Sequence, residues 1–133
     1  MRKLIGYNKA GNILIGIFGL LFVFHLLVLS GIVPFDIVWA GRIKNKTDLI
    51  KMETISLIIL IFVSSVVALR MNYLSLGINP FVIKTGVWIL FAFFVLNTLG
   101  NLTAVNPIEK YGFGLLTFLI SVLLLKLGLE KKG

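Results

Sequence analysis

Hydrophobic and polar residues do not alternate along this chain. The hydrophobic ones come in long runs, and most of the polar ones lie between the runs. The first run, ILIGIFGLLFVFHLLVLSGIV, extends from Ile13 to Val33. The second, METISLIILIFVSSVVAL, covers Met52 to Leu69. The third runs from Phe81 to about Leu102 and the fourth from Tyr111 to about Leu127. A helix needs roughly 20 apolar residues to cross about 30 Å of hydrocarbon. Strands would alternate, and so few segments could not close a barrel. The pattern predicts an all-α integral membrane protein, a four-transmembrane-helix bundle. Residues 1–133 are read as a single membrane domain with a charged loop over 34–51. The fourth run is short, which predicts little tilt or a locally thinned bilayer.

The connectors fit these spans. Asn79-Pro80 opens the third and Asn106-Pro107 interrupts the chain before the fourth, since a residue before proline avoids the helical region. Thr47 and Asp48 are good cap types and place the start of the second helix. Tyr7, Trp39, Tyr73 and Tyr111 fall near span ends, where amphipathic rings sit at the membrane interface. The first span follows Arg2, Lys3 and Lys9. Its apolar part is too long for a signal-peptide core, so it is read as a retained span.

Composition sharpens the class. Hydrophobic residues make up 59% and charged ones 14%, against about 45–50% and about 25% in soluble domains. There is no cysteine, which excludes disulfides and thiolate chemistry. The net charge of +8 is explained by helix ends and anionic lipid, so nucleic acid is not an expected partner. Lys and Arg also set the orientation. Arg2, Lys3, Lys9, Arg70, Lys84, Lys126, Lys131 and Lys132 fall on one side, and Arg42, Lys44, Lys46, Lys51 and Lys110 on the other. The richer side is expected to be cytoplasmic. That gives an N-in/C-in chain, in what is expected to be a bacterial cytoplasmic membrane, with the 34–51 loop outside.

Small and polar residues recur at helical spacing. Glu53, Ser56, Leu60, Ser64 and Ala68 form one stripe. Gly86, Leu90, Phe93, Asn97 and Asn101 form another, and Gly114, Thr117, Ser121 and Gly128 a third. Seams of this kind let helices approach closely, so Ser64, Ala68, Gly114 and Ser121 are assigned to helix packing. Gly16, opposite the His25 face of the first span, is a further position where a helix could approach.

The candidate chemistry gathers in the outer half of the bundle. His25 is the only histidine, and a titratable group inside a span is costly and usually paired. Its ordinary pKa near 6.5 suits proton transfer. Glu53 is read first as an interfacial carboxylate, solvated by headgroups and paired with Arg42 or Lys51. Its alternative roles are proton carrier, cation site or partner of His25. With Trp39 as an interface anchor and Arg42 in the loop, the expected pocket comprises His25, Trp39, Arg42, Glu53, Asn97, Asn101 and Thr117. Glu109 and Lys110 are read as an ordinary connector. One histidine with scattered carboxylates does not make a metal set, and no cofactor is expected.

Known four-span designs differ at telling positions. Small multidrug exporters carry a carboxylate in the middle of the first span, where this chain has His25. Fluoride channels of dual topology need an arginine in that span, and quinone reductases of the vitamin K type need cysteines. Three functions follow from the residues. The first is a non-enzymatic binding or accessory component with an outward polar pocket. The second is a homo-oligomeric channel or proton-coupled transporter. The third is a lipid enzyme with His25 and Glu53 as acid and base, which requires the two in contact. Expected partners are the lipid bilayer, a lipid or small-molecule ligand, and a second copy or larger membrane complex.

Overall fold

The structure is a computed structural model that describes residues 6–32, 44–104 and 106–130. Among these residues it is all helical, with no strand. Helix α1 is Tyr7–Leu29, α2 is Lys46–Arg70, α3 is Pro80–Leu102 and α4 is Gly114–Leu129, the last preceded by a π-helical turn over Ile108–Phe113. All four helices are long and apolar enough to cross a membrane, the fourth counted over Ile108–Leu129.

Each helix starts where local chemistry satisfies its first amides. Asn45 caps α2, its side chain accepting from Asp48 N–H at 2.8 Å. Asp48 reaches back to Lys44 N–H at 3.3 Å. The cap is therefore Asn45, not Thr47 or Asp48 themselves, and α2 begins about two turns before the apolar run. Asn79 caps α3 by accepting from Phe81 N–H at 2.8 Å, with Pro80 in the first turn, where its missing N–H costs nothing. Asn106 accepts from Ile108 N–H at 2.9 Å and starts the π turn. That turn removes the expected shortness of the fourth span. The continuous helical segment has 22 residues, long enough for about 30 Å of hydrocarbon.

The helices run up and down in order, with α1 packed mainly on α2 and α3 mainly on α4. Lighter α1–α4 and α2–α3 contacts close the square. The core is a layer of Leu14, Phe18, Leu60, Val63, Phe94 and Leu124. Phe18 and Phe94 stack across it with ring centroids 5.8 Å apart. In α2 the buried stripe is Glu53, Ser56, Leu60, Val63 and Val67. The expected stripe drifts off this line after Leu60, because repeated steps of four outrun a 3.6-residue turn. Ser64 and Ala68 are thus only half-buried. In α4 the expected seam is buried throughout. A side chain on Gly114 would stand 3.2 Å from Leu102, and Ser121 donates to Thr117 O at 2.9 Å.

Gly16 faces open space, so within the described chain no helix approaches it. The close approaches are at other glycines. Met71 lies against Gly11 so tightly that a Cβ there would overlap its thioether. Gly128 lies under the Trp88 indole, where a Cβ would come within 2.8 Å of the ring.

The end of the bundle that carries the α2–α3 turn is closed by polar anchors. Arg70 donates from Nε and Nη2 to Leu127 O at 3.0 and 2.8 Å, and from Nη2 to Glu130 O at 2.9 Å. It thereby caps the last carbonyls of α4 from a neighbouring helix. Tyr7 packs beneath Arg70 and is buried, while Tyr73 and Tyr111 are exposed at helix ends as an interface belt requires. Lys126, counted above with the C-terminal bases, is buried in α4 and paired with Glu130 one turn on.

Candidate functional site

His25 sits one turn before the end of α1 and Glu53 about two turns inside α2. Since the helices are antiparallel, both lie at the same end of the bundle. His25 Nδ1 and Glu53 Oε2 are 2.5 Å apart. Glu53 is completely buried, so it is not an interfacial carboxylate. The early start of α2 explains why: the cap at Asn45 carries Glu53 about 10 Å past the helix start and inside the bundle. His25 is the partner, and Arg42 lies outside the described residues, as does Trp39. Glu53 Oε1 is buried without a hydrogen-bond partner among the described residues.

The contact has a chemical consequence. A carboxylate on Nδ1 fixes the imidazole's orientation and tautomer and leaves Nε2 as the group that can accept or deliver a proton. His25 lines a cleft of about 420 Å³ at this end of the bundle. All four helices contribute to it. Phe24 of α1 and Phe113 of the π turn meet with centroids 5.2 Å apart and form one wall. Ser56 and Ile59 of α2 form a second, and Asn97 and Asn101 of α3 a third. Glu53 stands behind His25 and not in the wall itself.

Of the expected pocket residues, the structure brings together His25, Asn97, Asn101 and Thr117 around this cleft, with Glu53 as the support of His25. Thr117 is already occupied. Its hydroxyl donates to Phe113 O at 2.9 Å and lies 3.0 Å from the Thr98 hydroxyl, pinning α3 to α4. Asn97 and Asn101 have no such partner among the described residues. Glu109, read above as connector, is buried and lines the cleft. The signal was in the spacing: Glu109, Phe113, Thr117 and Ser121 follow each other at steps of four. A π turn, with its wider ring, keeps that spacing on one face. Among the described residues no three metal-ligating side chains gather, so His25 and Glu53 act as a pair.

Fold and site together define a small multi-pass helical membrane protein with a cleft of mixed polar and apolar lining in one half of its bundle. No family model, curated protein or solved structure matches the chain.

Proposed function

We propose that this chain is a membrane-embedded binding component that holds a ligand in the cleft between His25, Asn97, Asn101 and Glu109. One observation carries the reading. Polar groups from several helices, set among apolar side chains, line a cleft at one end, while Phe18, Val63, Phe94 and Leu124 form an apolar layer below it. A site with polar and apolar walls above an apolar layer is suited to holding a molecule and poorly suited to passing one through a single copy, since a route needs polar groups or water throughout. With both termini cytoplasmic, the cleft opens toward the outer leaflet of a bacterial cytoplasmic membrane. Native mass spectrometry of the protein released from nanodiscs tests this. The expected species is a chain that retains one small molecule and loses it on His25→Ala. Bare dimers or larger assemblies from every lipid mixture would overturn it in favour of transport or conduction.

The His25–Glu53 contact also favours a second reading. A histidine held by a buried carboxylate is an acid–base pair, and it faces a cleft in which a lipid hydroxyl or ester could lie. Turnover of added lipids by the purified protein, abolished in Glu53→Gln with the retained molecule still bound, would select this reading over simple binding.

A further inference from the structure

Helices α2 and α3 lie close near the turn that joins them and are parted by the cleft at the other end. Near that turn Val66 stands 3.4 Å from where a Cβ on Gly86 would be. At the far end the same helices form two walls of the cleft, with Ser56 and Ile59 on one and Asn97 and Asn101 on the other. The α3 wall continues onto the lipid-facing surface: Leu96, which lines the cleft, is 68% exposed, and Phe93 is 39% exposed. The cleft therefore adjoins the region of acyl chains as well as the membrane surface.

Asn97 and Asn101 lie one turn apart, and no group among the described residues hydrogen-bonds either carboxamide. A polar group left unpaired inside a span, as Asn97 is, is costly, because hydrocarbon offers it nothing. Each carboxamide presents both a donor and an acceptor, the pairing that a hydroxyl answers. His25 adds an acceptor at Nε2, its Nδ1 being engaged by Glu53. No Lys or Arg is among the described lining residues, and the nearby Glu109 carboxyl disfavours an anion. A cationic head would need an ionised acceptor left for it, yet Glu53 turns one oxygen to His25 and exposes none of its surface, and Glu109, buried in the lining, is already engaged within the protein.

We infer that the cleft binds an uncharged, hydroxyl-bearing amphiphile drawn sideways from the bilayer between α2 and α3. The head bonds to Asn97, Asn101 and His25, and the chain leaves over Phe93 and Leu96. The inference rests on the binding reading above and names its ligand class. A cleft of about 420 Å³, within the range of about 300–1,000 Å³ usual for ligand sites, has room for such a head and a short length of chain.

Three probes that share one oleoyl chain separate the possibilities: monooleoylglycerol, oleylamine and oleoyl lysophosphatidate. Each is added to nanodiscs holding the full chain, and retained adducts are counted by native mass spectrometry. Monooleoylglycerol is expected to be retained preferentially, about tenfold less in the double variant Asn97→Leu/Asn101→Leu, as the loss of two hydrogen bonds implies. Ser56→Phe, which fills the cleft from α2, is expected to abolish retention. Gly100→Trp, at a lining position with open space around it, does the same from α3 if Ser56→Phe unfolds. Preference for the amine or the phosphate, or retention unchanged in the asparagine double variant, overturns the ligand class while leaving the pocket standing. Retention that ignores both filling variants, or no retention of any probe, overturns the pocket and the ligand class together.

Discussion

At the scale of single residues, the His25–Glu53 pair is a costly feature of the bundle, because Glu53 is fully buried. Removing one partner strands the other. His25→Leu leaves the Glu53 carboxyl in a site with no exposure and is expected to destabilise the protein by about 3–5 kcal/mol. The double variant His25→Leu/Glu53→Leu is expected to recover most of that loss, since a buried pair replaced by apolar groups is often neutral. Unfolding in mixed micelles, read as a double-mutant cycle, measures the coupling. Additive losses would mean the two side chains do not act as a pair. Glycines divide just as sharply. Gly128→Val drives a side chain into the Trp88 indole and is expected to cost about 1–3 kcal/mol. Gly16→Ala meets open space and is expected to gain a few tenths to about 1 kcal/mol from helix propensity alone. Thermal melts of the two variants in one detergent check the contrast. His25, Asn97 and Asn101 were legible from the sequence because polar residues inside a hydrophobic run are conspicuous. Glu109 was not, because it precedes the apolar run and looks like any charged connector until the π turn carries it inward.

At the scale of elements, hydropathy located the helix middles and missed their ends. Burial in hydrocarbon marks only the apolar middle, whereas caps mark the true start. Asn45 starts α2 well before Met52, and that early start is what moves Glu53 from the interface to the core. Asn45→Ala is expected to cost about 1 kcal/mol and to speed amide exchange in the first turn of α2. The opposite end of the bundle depends on a cap supplied by a neighbour. Arg70→Met removes the guanidinium bonds to Leu127 O and Glu130 O. Exchange at the last turn of α4 is expected to rise roughly ten- to a hundredfold, as charge-assisted bonds of this kind imply, with α1 little changed. No pattern in the α4 sequence announces this contact, because its donor comes from α2, 57 residues away.

At the scale of the whole molecule, the four-helix architecture followed from run length alone, while orientation rests on the basic residues. The chain has no cysteine, so single introduced thiols report sidedness cleanly. Lys44→Cys, beside the α2 cap, is expected to react with an impermeant maleimide added to intact cells. Ser75→Cys, in the exposed α2–α3 turn, is expected to react only after the membrane is opened. The reverse pattern would invert the protein and move the cleft to the inner leaflet.

The apolar layer around Phe18 and Phe94 also bears on bioenergetics. A proton that reaches the His25–Glu53 pair from the cleft meets side chains in that layer that cannot accept it, so along the described residues its way out is the way it came. A pair placed in this way would exchange protons with one compartment without dissipating the gradient between two. A cell could carry many copies of such a protein at no cost in leak.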